Sequence, residues 1–100
     1  MSVISINEVI KMDFNNCILI DVRDRYKYNN GHIPGAIWMD EQGILDNMVA
    51  LRRYDKVIIY CDYGNYGLKL VSKLRRENNL LNAYNVVGGY NVYRGKIKKG

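Results

Sequence analysis

The sequence predicts an α/β domain, in which helices pack against a mostly parallel β-sheet. Two short apolar runs, 17–20 and 57–61, are rich in β-branched residues and too short for helices, which is typical of strands buried on both faces. A helical pattern follows the second run, with apolar or small residues at i, i+3, i+4 and i+7: Gly67, Leu70, Val71 and Leu74. Strands that alternate with helices favour a parallel sheet.

The elements before residue 57 follow from local signals. Ser5 and Glu8 have capping-box spacing, which predicts a helix from about Ile6 with Ile6, Val9 and Ile10 on one face. After the strand at 17–20, Asp24 is a candidate N-cap for a short helix through Tyr28, which Gly31 would end. A strand over 36–39 and a weaker helix over 44–51 complete this half of the chain. The last predicted strand covers 83–87, before Gly88 and Gly89.

Composition indicates one globular domain over residues 1–100. The chain is 48% hydrophobic and 25% charged, and no repeat or Pro/Gly/Ser-rich linker divides it. Residues 94–100 carry +4 of the net charge of +5, so the body is nearly balanced and the charge belongs to a basic C-terminal tail. We expect a solvated tail and no nucleic-acid partner.

Other compositional features exclude several classes of protein and site. The longest apolar run has five residues, and the N-terminus lacks the pattern of a signal peptide. A cytoplasmic location without a membrane partner is therefore the expectation. Cys17 and Cys61 form no Cys-x-x-Cys pair, and neither has metal-ligand spacing to His32, so we expect no metal site and no disulfide framework.

Cys61 is the candidate reactive residue. It follows a buried strand and begins a glycine-containing loop that opens a helix, and ligand sites in α/β sheets gather at such strand ends. Backbone N–H groups in such a loop, together with the helix dipole, can bind an anion and favour a thiolate over a thiol. The position fits either a nucleophile or a small buried residue at a strand end.

Four blocks of sequence resemble a single-domain rhodanese, a thiosulfate:cyanide sulfurtransferase homology domain. In chain order they are Leu-Ile-Asp-Val-Arg-Asp at 19–24, Gly-His-Ile-Pro-Gly-Ala at 31–36, Val-Ile-Ile-Tyr-Cys at 57–61 with Gly64, and Val-Gly-Gly-Tyr at 87–90. The blocks have the order and spacing of the family and span nearly the whole chain. A rhodanese-like domain is expected to have a mostly parallel five-stranded sheet flanked by helices.

The resemblance also implies roles for individual residues. Cys61 would accept sulfane sulfur as a persulfide, and Gly64 matches the glycine that lets the loop curl. The cradle around the sulfur would be the loop of Asp62, Tyr63, Gly64, Asn65, Tyr66 and Gly67. Asp21 and Arg23 match positions that support this loop, although they could equally form an ordinary ion pair that stabilises the fold.

The loop departs from the family pattern, in which Cys-x-x-Gly-x-Arg-Ser with a basic residue after the cysteine is common. Tyr66 occupies the arginine position, Gly67 the serine position, and Asp62 places an acid where a cation is common. A carboxylate disfavours both a thiolate and an anionic donor, so reduced use of thiosulfate is expected. Phosphatases of this fold need an arginine at position 67, so phosphate-ester hydrolysis is not expected here.

The sequence therefore predicts a sulfurtransferase or sulfur carrier without a cofactor. Its partners would be a small sulfur donor, such as thiosulfate or a protein persulfide, and a thiol acceptor. The alternative is a non-catalytic rhodanese-like module for protein binding or regulation. Three remaining residues have secondary expectations: Cys17 is a core residue, His32 makes a local hydrogen bond in a turn, and Tyr93 lines the pocket from its far side.

Overall fold

A computed structural model describes residues 2–100, and its central feature is a five-stranded sheet in the order β1-β5-β4-β2-β3, with every neighbouring pair of strands parallel. The α/β prediction with a five-stranded sheet is confirmed. In chain order the elements are β1 Val3–Ile4, α1 Ile6–Val9, β2 Cys17–Asp21, α2 Arg25–Asn30, β3 Ile37–Trp38, α3 Glu41–Asp46, α4 Met48–Leu51, β4 Lys56–Tyr60, α5 Asn65–Asn78, β5 Ala83–Val86 and a 3-10 turn at Gly89–Val92.

The sheet separates two apolar clusters because alternate residues of a strand point to opposite faces. From β4, Val57 and Ile59 join the cluster that contains residues of α3, α4 and α5. Ile58 and Tyr60 join the second cluster, which includes Val9 of α1. Both faces of the central strands are thus covered, which explains why the two runs read as continuous apolar stretches.

The predicted caps of the first two helices are present. The Glu8 N–H donates to Ser5 Oγ at 3.2 Å, and the Lys27 N–H donates to Asp24 Oδ1 at 3.0 Å. Gly31 ends α2 as expected. The prediction that Ile10 shares the buried face of α1 is wrong, because the helix ends at Val9 and leaves Ile10 60% exposed.

The predicted helix over 44–51 is instead two short helices. It begins earlier, because Asp40 Oδ1 accepts from the Gly43 N–H at 2.8 Å and caps α3. Asn47 leaves helical geometry at φ −108°, ψ 17°, and separates α3 from α4. Sequence analysis also did not locate β1, whose two residues are too few for a periodic pattern.

The helix α5 confirms the apolar stripe. Gly67, Leu70, Val71 and Leu74 are its buried residues. The helix starts after Gly64, which has φ +98°, and ends at Asn79 in a left-handed conformation. It has 14 residues, and no helix within residues 2–100 has the length and apolar character needed to cross a bilayer.

The basic tail is exposed but not free. Lys98 exchanges two backbone hydrogen bonds with His32, each 2.9 Å, and the Gly100 N–H donates to the carbonyl of Asn29 at 2.9 Å. The expectation of a solvated tail agrees with this exposure, whereas the backbone hydrogen bonds to His32 and Asn29 were not predicted. The tail side chains remain in solvent, while the chain itself is fastened to the end of α2.

Candidate active site

Cys61 lies one residue beyond β4, at the edge of the sheet where α5 begins. The residue is 4% exposed. The amide N–H groups of Gly64 and Gly67 both donate to its Sγ, each with an N···S distance of 3.1 Å. Two N–H dipoles that converge on one sulfur stabilise negative charge on it, as does the N-terminus of a 14-residue helix.

The loop requires glycine at position 64 because a side chain would not fit there. Its φ of +98° is in the left-handed region, and an added Cβ would lie 2.9 Å from the backbone nitrogen of Gly88. The loop after β5 therefore packs directly against the loop after β4. A glycine is required for this contact as well as for the turn.

The turn at 89–92 holds the start of the loop from outside. The Tyr90 N–H donates to the Cys61 carbonyl at 2.8 Å, and the Asn91 N–H donates to the Asp62 carbonyl at 2.9 Å. An added Cβ on Gly89 would lie 2.5 Å from the Cys61 oxygen, so the approach needs glycine. In the sequence, Gly88 and Gly89 marked only the end of a strand, and nothing there indicated this bracing role.

Asn85, on β5, is a second contact that the sequence analysis missed. Its side chain is buried, and its Nδ2 donates to the Gly64 carbonyl at 3.1 Å. Its Oδ1 has no hydrogen-bond partner among residues 2–100. The one feature of the sequence that could have indicated this role is a polar asparagine within a strand of otherwise apolar or aromatic residues.

An open cleft of about 440 Å³ lies at the cysteine. It brings together most of the predicted site, and its lining residues are Val22, Arg23, Asp24, Lys27, Cys61, Asp62, Tyr63, Asn65 and Tyr66. Gly64 and Gly67 lie behind the sulfur and supply N–H groups instead. Tyr63 and Tyr66 are exposed at the rim.

Asp21 and Arg23 form a buried ion pair, with Arg23 Nη2 2.7 Å from Asp21 Oδ2. Arg23 Nη2 also donates to the Gly31 carbonyl at 2.6 Å, and the guanidinium lies 3.9 Å from the ring centre of Tyr90. Burial opposes the charge of Arg23, but the bond with Asp21 outweighs it and raises the pKa of Arg23. The ion pair is therefore present and Arg23 also lines the cleft, while support of the loop at 62–67 by Asp21 and Arg23 stays a prediction.

Asp62 is paired with a cation that the sequence analysis missed. Lys27 Nζ, from α2, lies 3.1 Å from Asp62 Oδ2 across the cleft. The hydrogen bond with Asp62 is the main reason that the pKa of Lys27 is raised. The acid beside the cysteine therefore has a cation as its direct partner, in an ion pair that is partly open to solvent.

Tyr66 remains a hydrogen-bond donor. Partial burial raises the pKa of Tyr66, and the negative charges of Glu41, Asp40 and the Cys61 sulfur act in the same direction. The phenol therefore stays protonated over the physiological range. It offers one O–H group where an arginine would offer a positive charge.

The secondary expectations have mixed outcomes. Cys17 is a buried residue of the second apolar cluster, and His32 Nδ1 makes a local hydrogen bond with the Tyr28 carbonyl at 2.9 Å, both as predicted. The placement of Tyr93 is wrong: it lies outside the cleft, where its hydroxyl donates to the Lys96 carbonyl and its ring stacks on Tyr90. Tyr90 occupies the position between Tyr93 and Arg23.

Comparison with known proteins gives a consistent result. The model of the rhodanese-like domain family matches residues 5–96. The thiosulfate sulfurtransferase GlpE of Pseudomonas savastanoi pv. phaseolicola is 30% identical over 77% of this chain and 72% of its own length. A solved rhodanese-like domain protein from Staphylococcus aureus is 25% identical, with a TM-score of 0.77 over 100% of this chain and 99% of that one.

A phosphatase is also among the relatives. The M-phase inducer phosphatase of Emericella nidulans is 31% identical over 73% of this chain, which corresponds to 13% of that protein. At position 67 the present chain has a glycine with no room for a side chain, because an added Cβ would overlap Asn85 Oδ1. The site therefore lacks the arginine fork that would clamp a phosphoryl group.

Proposed function

The chain belongs to the rhodanese-like domain family, and from this premise we propose that it is a sulfurtransferase or sulfur carrier that forms a persulfide on Cys61. The observation that carries the proposal is the convergence of the Gly64 and Gly67 N–H groups on Cys61 Sγ, each at 3.1 Å. Similarity to proteins named thiosulfate sulfurtransferase supports the same activity.

The reaction divides into two displacements at sulfur. The Cys61 thiolate attacks the sulfane sulfur of the donor, a sulfur–sulfur bond forms, and the donor's own sulfur–sulfur bond breaks. The leaving group, sulfite from thiosulfate or a thiolate from an organic persulfide, departs with the electron pair. An acceptor thiolate then attacks the outer sulfur of the Cys61 persulfide and restores the Cys61 thiolate. No net oxidation occurs and no cofactor is needed.

The residues at the cleft support a division of roles. Backbone N–H groups hold the sulfur in both states, and the amides in the first turn of α5 have no acceptor within the helix. Arg23 and the Lys27–Asp62 pair line the cleft, as does the half-exposed Tyr66.

The charges at the cleft favour an organic or protein persulfide over thiosulfate. Arg23 is paired with Asp21, and Lys27 with Asp62, so each cation is already compensated. Asp24 adds a further carboxylate to the lining. A doubly negative donor therefore finds no uncompensated cation among the lining residues.

Intact-mass measurement tests the proposal. The protein is exposed to thiosulfate and, separately, to glutathione persulfide, and then to a thiol reductant. We expect a gain of one sulfur atom with the persulfide, a slower gain with thiosulfate, and loss of the added sulfur after reduction. Peptide analysis should locate the sulfur at Cys61.

A non-catalytic binding module is the second candidate. The observations that favour it are the departures at Asp62, Tyr66 and Gly67, where the resemblance leads one to expect a cation, an arginine and a serine. A protein that gains no sulfur from either donor, while a small alkylating agent still reaches Cys61, would establish this alternative.

A further inference from the structure

Asn85 connects the two residues whose amides hold the reactive sulfur. Its Nδ2 donates to the Gly64 carbonyl at 3.1 Å. On the other side, its Oδ1 lies where a Cβ on Gly67 would be. The amide orientation is fixed, because a flipped side chain would place Oδ1 against the Gly64 oxygen, and two acceptors repel.

We propose that Asn85 is a positioning residue, which sets the geometry of the Gly64 and Gly67 N–H groups around Cys61 Sγ. The proposal rests on the proposed role of Cys61, but it concerns the sulfur cradle rather than the identity of the donor. Asn85 does not touch the reacting atom through a hydrogen bond. It acts through Gly64, whose carbonyl also accepts from the Leu68 N–H at 3.0 Å at the start of α5.

The Oδ1 of Asn85, which has no hydrogen-bond partner among the described residues 2–100, supports a role beyond stability. Asn85 is 2% exposed, and a buried amide oxygen without a donor costs free energy. An apolar residue of similar size would avoid this cost in a strand whose neighbours are apolar. The chain nevertheless has asparagine here, with its Nδ2 bound to the Gly64 carbonyl. A role in holding the loop explains why a polar residue occupies this position.

Gly67 and Asn85 also depend on each other. A side chain at position 67 would meet Asn85 Oδ1, which fills the space that its Cβ would need. The absence of a side chain at Gly67 is thus a packing requirement of Asn85. We expect the two positions to be energetically coupled.

The first experiment compares Asn85→Leu with the matched control Asn82→Leu. Asn82 lies just before β5, at its opposite end, and its Nδ2 donates to the carbonyls of Leu51 at 3.0 Å and Tyr54 at 2.8 Å. Both variants lose side-chain hydrogen bonds to backbone carbonyls, which are buried at Asn85 and partly buried at Asn82. Only the first is close to Cys61.

The readout is the rate at which iodoacetamide alkylates Cys61, measured against pH on folded protein. Because alkylation does not require sulfur transfer, this readout remains informative even if the protein proves to carry no sulfur. For Asn85→Leu we expect alkylation at neutral pH to slow about fivefold, with the midpoint of its pH profile displaced upward, which is the effect of about one hydrogen bond. For Asn82→Leu we expect lower resistance to denaturant and an unchanged pH profile.

Two outcomes would overturn the proposal. One is a folded Asn85→Leu protein with the wild-type pH profile, and the other is an equal displacement in Asn82→Leu. If Asn85→Leu does not fold, Asn85→Ser replaces it, since the shorter hydroxyl does not reach the Gly64 carbonyl and the same displacement is expected.

A double-mutant cycle tests the coupling. Gly67→Ala should strongly lower the denaturation midpoint in the wild-type background, because the new methyl group overlaps Asn85 Oδ1. In the Asn85→Ser background the same substitution should be tolerated. Equal losses in both backgrounds would contradict the coupling between these two residues.

Discussion

The two cysteines of this protein differ in location rather than in burial. Cys17 begins β2 and Cys61 follows β4, so they lie at opposite ends of two neighbouring parallel strands. Their exposures are 7% and 4%. Cys17 packs in an apolar cluster on one face of the sheet, whereas Cys61 receives two backbone N–H groups at 3.1 Å and lines a cleft.

This contrast shows what the end of a strand contributes. At the end where the strands finish, loops turn their N–H groups inward and a helix begins, so a thiol there meets a positive electrostatic potential. At the other end a thiol is one more small apolar group. A nearby cleft of about 520 Å³, lined by Asn15, Asn16, Arg53, Tyr54 and Asp55, does not include Cys17.

The largest expected effect comes from exchanging each cysteine for alanine. Cys61→Ala should gain no sulfur from a persulfide donor, because the attacking atom is absent. Cys17→Ala should load at the wild-type rate and lose about 1 kcal/mol of stability through the removed sulfur atom. Intact mass and denaturant unfolding measure the two effects. Loading of Cys61→Ala at the wild-type rate would mean that the comparison assigns the wrong cysteine.

Gly64→Ala should have the next largest effect. A methyl group at φ +98° is strained and would lie 2.9 Å from the Gly88 nitrogen, so the loop has to move and its N–H leaves the sulfur. We expect about 2 kcal/mol of lost stability and a large fall in sulfur loading. Gly43→Ala, in α3 where the glycine has no positive φ, is the control and should load normally. Unaltered loading in Gly64→Ala would show that the Gly64 N–H is not needed for sulfur loading.

Much of this arrangement could be predicted from the sequence, because its signals are local. The apolar stripe of α5, the caps at Ser5 and Asp24, and the position of Cys61 after a buried run all depend on neighbours in the chain. The family resemblance predicted the topology, including the number of strands. No local pattern predicted β1.

The contacts that were missed are all between distant segments. Lys27 of α2 and Asn85 of β5 contact Asp62 and Gly64, which both lie in the loop after β4. The Tyr90 N–H similarly holds the Cys61 carbonyl. Hydrophobic periodicity reports which face of an element is buried, but it carries no information about which polar group stands opposite.

A smaller effect is expected from the charges of the cleft. Asp62→Asn removes an acid and releases Lys27 from its ion pair, and Tyr66→Arg adds a cation at the rim. Each should raise thiosulfate-dependent turnover about fivefold in kcat/KM, while turnover of an organic persulfide, which carries less negative charge at its sulfur than thiosulfate, changes less. Asp55→Asn, at the opposite end of the sheet, is the control of equal charge. A uniform rise for both donors would point to a cause other than charge.

The smallest effect on chemistry is expected from the tail. Removing residues 96–100 breaks the backbone bonds with His32 and Asn29, which lie in the turn after α2 and at its end. We expect about 1 kcal/mol of lost stability and loading by a small donor within twofold of the full-length chain. Thermal unfolding and intact mass provide the measurement. Loss of loading in a truncated protein that remains folded would show that the tail contributes to the site.

The pairing of β1 with β5 has a consequence for synthesis on the ribosome. β1 cannot pair in the sheet until β5 has been synthesised, because Val3 pairs with Asn85 and Ile4 with Val86. The braces of the Cys61 loop, Asn85, Gly88 and Tyr90, also emerge late. Contacts so distant along the chain form late in folding. A nascent chain that has passed Cys61 but not Tyr90 therefore lacks the contacts that hold the loop around that sulfur, and the loop takes its final shape only when the whole domain has been made.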